Sequence, residues 1–301
     1  MLDEVRRFLT YLKEVKHISL NTELSYERDL RYLVEFLHRE GILEWRKVNP
    51  AILQSYLICL ENEGKSPSTI ARISACIKTF FHYALLKKIV EEDPTQLLRP
   101  PKIRRELPQI MTVEEVELLL KQPTQNTPKE IRDRAMLELL YATGLRVTEI
   151  LSLQLFDLNM TLGYITCRQK SGIRSIPFGE RVKRIMKRYL EDARPQLLQT
   201  EQENALFVNC MGKPMSRQGF WKLLKYYVKM ADIQKEVTPH TLRHSFAVHL
   251  AANGAKMEEI QKALGYSDLS AAQLYASFMQ KGEKHIYELN LLTEDREDIA
   301  K

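Results

Sequence analysis

The chain has 301 residues and a mass of 35.2 kDa, room for two domains of roughly 100–200 residues each and more than a peptide module needs. Hydrophobic residues make up 44% and charged residues 28%, with 11 Gly and 12 Pro, which excludes disordered and collagen-like classes, and no apolar run approaches the ~18 residues of a transmembrane helix. The formal net charge of +6 is unevenly placed, since residues 161–230 carry 14 basic and 5 acidic side chains against 15 and 14 in residues 1–100, so the later stretch points to a polyanion, with a solvated basic helix face as the bland alternative.

Met1 to Lys16 alternates charged and apolar residues and lacks the unbroken apolar core of a signal peptide, so a cytoplasmic location is expected. Leu2, Val5, Leu9 and Leu12 recur at helical spacing. So do Leu30, Tyr32, Leu33 and Phe36 after Ser19, Ile52, Tyr56 and Leu57 after Asn49-Pro50, and Ile70, Ile73, Ile77 and Phe80 after Ser66-Pro67. This predicts a bundle of four or more short helices over 1–93. Pro94, Pro100, Pro101 and Pro108, with Lys102, Arg104 and Arg105, predict an extended basic connector over 94–110. A second domain then fills 111–301. Cys59, Cys76, Cys167 and Cys210 have no paired spacing and read as small buried hydrophobes.

The second domain opens on Thr112 and Glu115, a capping box ahead of Val116 to Leu120. A helix from Pro128 is expected to end near Gly144, followed by a short helix bearing Glu149. Tyr164 to Cys167, the turn signal Lys170-Ser171-Gly172 and Ile173 to Phe178 predict an antiparallel hairpin. Beyond Gly179 the pattern is helical except for a short strand expected near Leu206 to Val208. One of these helices starts near Ser216 and carries Lys222, Lys225 and Lys229, suited to backbone phosphates. Thr238 as N-cap and Pro239 at the first helical position put His240 and Arg243 in the opening turns of a later helix, a natural phosphate site.

Each candidate has a bland reading. Arg243 could pair with a surface carboxylate, Arg146 with Glu149, Lys170 could be a solvated turn lysine, and Tyr275 a packed aromatic. His240, His244 and His249 invite a metal site, but a guanidinium beside a dication and the absence of a carboxylate at zinc-protease spacing weigh against it.

The order of these residues resembles the tyrosine recombinase (phage integrase) family. Ala142-Thr143-Gly144-Leu145-Arg146 is similar to its first arginine box and His240-Thr241-Leu242-Arg243-His244 to its second. Leu264-Gly265-Tyr266-Ser267-Asp268-Leu269-Ser270 leads to Tyr275. Size and plan look most like the Xer site-specific recombinases. The resemblance implies a mainly α fold: a helical, SAM-like core-binding domain that clamps DNA, then an α-rich catalytic domain with a small antiparallel β-sheet. It implies Tyr275 as nucleophile forming a 3′-phosphotyrosyl link, Arg146 and Arg243 stabilising the phosphate, Lys170 as general acid, His240 handling a proton or a phosphate oxygen, and no metal or cofactor. The implied partners are double-stranded DNA, a tetramer of one or two recombinases on paired sites, and a DNA translocase, with no membrane. The tail beyond Met279 resembles a segment that docks into a neighbouring subunit, a local C-terminal helix being the alternative. Tyr266 departs from the pattern, standing where the family usually has His or Trp. Its hydroxyl is expected to reach a phosphate oxygen, and packing alone is the competing role. Resolution of chromosome or plasmid dimers is the expected task. The alternatives are a mobile-element integrase, a non-cutting DNA-binding protein on the same fold and a histidine-based metal hydrolase.

Overall fold

The computed structural model describes residues 1–101, 109–169, 172–199, 202–266 and Tyr275. The chain divides into two compact units, Met1–Glu106 and Leu107–Lys301.

Four helices build the first unit: α1 (Leu2–Lys16), α2 (Leu20–Arg39), α3 (Pro50–Asn62) and α4 (Pro67–Leu86). Ser19, Asn49 and Ser66 cap the last three, each side chain accepting from the backbone amide three residues on. Pro50 and Pro67 occupy the first helical position, where no amide is missed. The periodic apolar residues then meet in one core, except Leu2 and Tyr32, which are exposed, and there Phe80 packs edge-on to Phe8 at 5.4 Å and against Trp45 at 4.4 Å. Thr95 and Leu98 are buried in this unit, Thr95 held through Asp93. Packed structure therefore reaches into the stretch expected to be extended connector from residue 94; residues 102–108 lie outside the described residues.

The second unit is organised around α6 (Pro128–Thr143), which follows α5 (Val113–Lys121). Both open on a capping box: Thr112 with Glu115, as the sequence predicts, and Thr127 with Glu130, which went unrecognised in the sequence. From Ile131 to Thr143 every residue of α6 is buried, charged ones included. The charges are paired: Arg132 with Asp133 at 2.5 Å, Asp133 with the Tyr227 hydroxyl at 3.0 Å, and Glu138 with Arg134 at 2.6 Å and Arg181 at 2.8 Å. After α7 (Val147–Ser152), strands β1 (Leu158–Asn159), β2 (Tyr164–Gln169) and β3 (Gly172–Pro177) form an antiparallel sheet in that order. Gln169 pairs with Gly172.

Helices α8 (Glu180–Arg188), α9 (Arg194–Leu197), α10 (Arg217–Met230), α11 (Pro239–Ala252) and α12 (Met257–Leu264) follow. The strand expected at Leu206 to Val208 does not form among the described residues. Ala205 and Val208 make isolated bridges to two different partners, Gln154 and Pro214, so no ladder extends along either. Of the four cysteines, Cys76 and Cys167 are buried, Cys59 is half-buried and Cys210 is exposed, against the expectation for all four. No helix among the described residues is long and apolar enough to cross a membrane.

Candidate active site

Two tight helix ends and one helix start bring the site together. α6 stops at Gly144 in the left-handed conformation, φ +59, with the Phe246 ring occupying the space a side chain would need. The turn delivers Arg146 at the start of α7. α12 stops the same way at Gly265, φ +61, where the Arg174 guanidinium from β3 fills the Cβ position. Thr238 caps α11 by accepting from the Thr241 amide at 3.1 Å, setting His240, Arg243 and His244 in its first two turns.

Arg243 is buried and donates from Nη1 to the Gly144 carbonyl at 2.7 Å and from Nη2 to the Leu264 carbonyl at 2.6 Å. Both glycine turns are thereby tied to one guanidinium. Two of its five N–H groups are spent this way. Arg146 is more open, its side chain 35% exposed. It donates to Glu149 at 3.1 Å and to the Gly265 carbonyl at 3.4 Å. The Tyr266 ring lies between the two arginines, its centroid 5.2 Å from Arg243 Cζ and 5.9 Å from Arg146 Cζ.

Glu149 holds the cations in place. It accepts from the Arg146 amide at 2.7 Å and from Arg174 at 3.0 Å, and its carboxylate lies 3.9 Å from Arg243. Burial alone would push this carboxyl up, but the Arg146 amide and the Arg174 and Arg146 guanidiniums outweigh it and hold it below its ordinary range. The Arg146–Glu149 pair that read as an ordinary salt bridge is thus one edge of a three-arginine network. Arg174 keeps Nε and Nη1 buried without a partner. It went unrecognised in the sequence, although it shares the inward face of β3 with buried Ile176, two residues on.

Tyr275 is fully buried, and its hydroxyl lies 2.6 Å from His244 Nδ1 and 3.2 Å from the Tyr266 hydroxyl. Burial, then the hydrogen bond and charge of Tyr266, push the Tyr275 phenol well above its ordinary value, while Arg243 pulls it down. Partial burial and the nearby Arg243, Arg217 and Arg146 lower His240, which leaves its imidazole neutral at pH 7. Of the residues singled out in the sequence, Arg146, Arg243, Tyr266 and Tyr275 form one contiguous cluster, with His240 within the field of both arginines. Lys170 lies outside the described residues, as does the tail beyond Met279. The three histidines weighed as metal ligands do not converge: His244 faces Tyr275, and His249 bonds the Tyr141 hydroxyl at 2.7 Å.

Residues 109–281 match the phage integrase family and residues 5–88 its N-terminal SAM-like domain. The chain is 39% identical to tyrosine recombinase XerD of Halalkalibacterium halodurans over 95% of its own length and 96% of the relative's, and 39% identical to XerD of Listeria monocytogenes over 95% and 98%. Among solved structures, XerH site-specific recombinase bound to a palindromic difH substrate matches with a TM-score of 0.75 at 20% identity, over 92% of this chain and 82% of that one. The Tn1549 transposon integrase with circular intermediate DNA matches with a TM-score of 0.74 at 20% identity, over 90% and 94%. These structural likenesses speak for the fold; the sequence matches speak for descent. The chain belongs to the phage integrase family, among the tyrosine site-specific recombinases.

Proposed function

We propose that the chain cuts and rejoins duplex DNA at a specific site, with Tyr275 as the nucleophile that forms a 3′-phosphotyrosyl intermediate, and that it resolves chromosome or plasmid dimers. The observation that carries this reading is the cluster in which the Tyr275 hydroxyl, Tyr266, Arg243 and Arg146 adjoin one another. A strand break that keeps its bond energy needs a covalent intermediate, and a phenol supplies one. Charge grows on the non-bridging oxygens as phosphorus becomes five-coordinate. Arg146 and the remaining N–H groups of Arg243 supply donors for it, so the charge needs no metal or cofactor. Neutral His240 serves as a hydrogen-bond donor to the phosphate. Lys170 protonates the leaving 5′-oxygen. Lys222, Lys225 and Lys229 on α10 neutralise backbone phosphates, which makes binding strongly salt dependent. The working form is a tetramer on paired sites, of one or two recombinases, joined through the tail beyond Met279, and a DNA translocase brings the sites together. The extended identity to XerD supports dimer resolution over integration of a mobile element.

The test is to denature the protein on sheared genomic DNA, recover the covalent adduct and sequence its DNA. A single recurring site joined through its 3′-phosphate to Tyr275 is expected. Linkage to another tyrosine overturns the residue assignment, and no adduct at all leaves a non-cutting DNA-binding protein.

A further inference from the structure

We propose that His244 is a catalytic residue, the base that takes the proton from the Tyr275 hydroxyl as that oxygen attacks DNA. The proposal rests on the reading of Tyr275 as nucleophile and adds a residue to it. Among the described residues, two groups lie within hydrogen-bond distance of the Tyr275 hydroxyl: His244 Nδ1 at 2.6 Å and the Tyr266 hydroxyl at 3.2 Å. A neutral phenol has no useful capacity to take a second proton, whereas a neutral imidazole has, with an ordinary pKa of about 6.5. The charged and titratable groups around His244 are Tyr275 and, behind it, Tyr266 from outside α11, and His240 and Arg243 on α11 itself. Burial, then His240 and Arg243, lower His244, so it stands unprotonated at pH 7 and Nδ1 accepts. The Tyr266 hydroxyl is then left to donate to the same phenolic oxygen. His240 lies one helical turn earlier in the field of Arg243, Arg217 and Arg146, surroundings that suit a phosphate contact better than a base.

The step balances. The Tyr275 O–H bond breaks, the proton passes to His244 Nδ1, and the electron pair forms the bond to phosphorus while the bond from phosphorus to the 5′-oxygen breaks. The leaving oxygen takes its proton from Lys170. In rejoining, the 5′-hydroxyl returns a proton to Lys170, attacks phosphorus, and the departing phenolate recovers its proton from His244.

His244→Asn is the discriminating variant, because an amide oxygen can stand where Nδ1 stands and keep the hydrogen bond but cannot hold the proton. The substrate is a nicked duplex carrying the site recovered from the wild-type adduct, and single-turnover adduct formation is followed from pH 5 to 9. His244→Asn and His244→Leu should bind this duplex normally in gel shifts and lose about 10²-fold or more in cleavage, the usual contribution of a general base. The wild-type rate should fall on the acid side through the His244 ionisation, and in both variants that inflection should vanish. Replacing Tyr275 by a fluorotyrosine, whose phenol is more acidic, should restore His244→Asn at least tenfold and change the wild type little. Nitrogen-15 imidazole spectra of the unmodified chain, which need no variant to fold, should report an unprotonated Nδ1 at pH 7. Cleavage by His244→Asn at the wild-type rate would reduce the contact to positioning, and faster cleavage by either variant would make it a restraint; both overturn the proposal, as does a protonated Nδ1. A wild-type chain that forms no adduct sinks the recombinase reading and this inference together.

Discussion

Among the described residues, the first unit buries a single charged side chain, Asp29, and ties it to Arg72 across α2 and α4, whereas the second buries Arg132, Asp133, Arg134, Glu138, Asp157, Arg194 and Arg243. Apolar packing holds the first together through its Phe8, Phe80, Phe81 and Trp45 cluster. The second desolvates charges and must therefore satisfy each with a partner in a fixed place. Fixed charges are what phosphoryl chemistry requires, because donors already aimed need no reorganisation when charge develops. One unit is built for packing, the other for pre-set electrostatics.

The sharpest way to test that contrast is Tyr275→Phe, which deletes one buried oxygen of the second unit and leaves the basic surface intact. Adduct formation should disappear while gel-shift affinity stays within about twofold, since the lost atom makes no phosphate contact needed for binding. Next in size is Lys170→Ala, expected to slow cleavage by about 10²–10⁴-fold on ordinary DNA. A substrate with sulfur at the 5′-bridging position should restore most of the rate, because a thiolate leaves without a proton. Failure of that rescue removes Lys170 from the general-acid role.

Glycine turns separate the units by stability. Gly64 in the first unit has φ +76 with nothing within 4 Å of an added Cβ, and Gly144 in the second has φ +59 with the Phe246 ring in the way. Gly64→Ala should cost only the left-handed penalty of about 1–2 kcal/mol. Gly144→Ala should add an overpacking cost of about 1–3 kcal/mol and displace the carbonyl that holds Arg243, so cleavage falls as well. Equal losses in urea unfolding would show that the second unit's turn is no more constrained than the first's.

How much of this was legible in the sequence follows the same division. The first unit's helices and core could be read from apolar spacing and from Ser19, Asn49 and Ser66, because burial there is periodic. In the second unit the capping box at Thr112 and the hairpin were equally plain. Its buried charges were not: Arg132 to Glu138 look like a polar helix face until Arg181, Val208 and Tyr227 arrive from distant positions to pair with them. The same limit hid Glu149 and Arg174, whose roles depend on the turn at Gly265, 116 and 91 positions further on in the chain. His244 was in view as a metal candidate, but nothing local says that its ring meets a tyrosine 31 residues away.

Two hydroxyls give the finest comparison. Tyr266 Oη in the second unit lies 3.2 Å from the Tyr275 hydroxyl, and its ring spans the two arginines. Tyr266→Phe keeps the ring and removes one donor from the forming phenolate and from any phosphate oxygen beside it. Single-turnover cleavage should slow by the roughly 1–3 kcal/mol cost of a missing donor to a charged acceptor, or about 5- to 150-fold. An unchanged rate would leave Tyr266 a packing residue.

Tyr56 Oη in the first unit is buried without a partner, and burial, with Asp29 as the next contributor, pushes its phenol far up. There the hydroxyl is a desolvated dipole in a core that uses none. Tyr56 packs against Phe36 at 5.0 Å, and Tyr56→Phe preserves that contact. The substitution should therefore leave stability unchanged or raise it by up to about 1 kcal/mol, since removing an unsatisfied buried group recovers part of its desolvation cost. Urea unfolding of the variant measures the sign. A loss of 1 kcal/mol or more would mean that the first unit, too, depends on a polar contact at this position, and the contrast between an apolar core and an electrostatic one would then hold only for charges and not for polar groups in general.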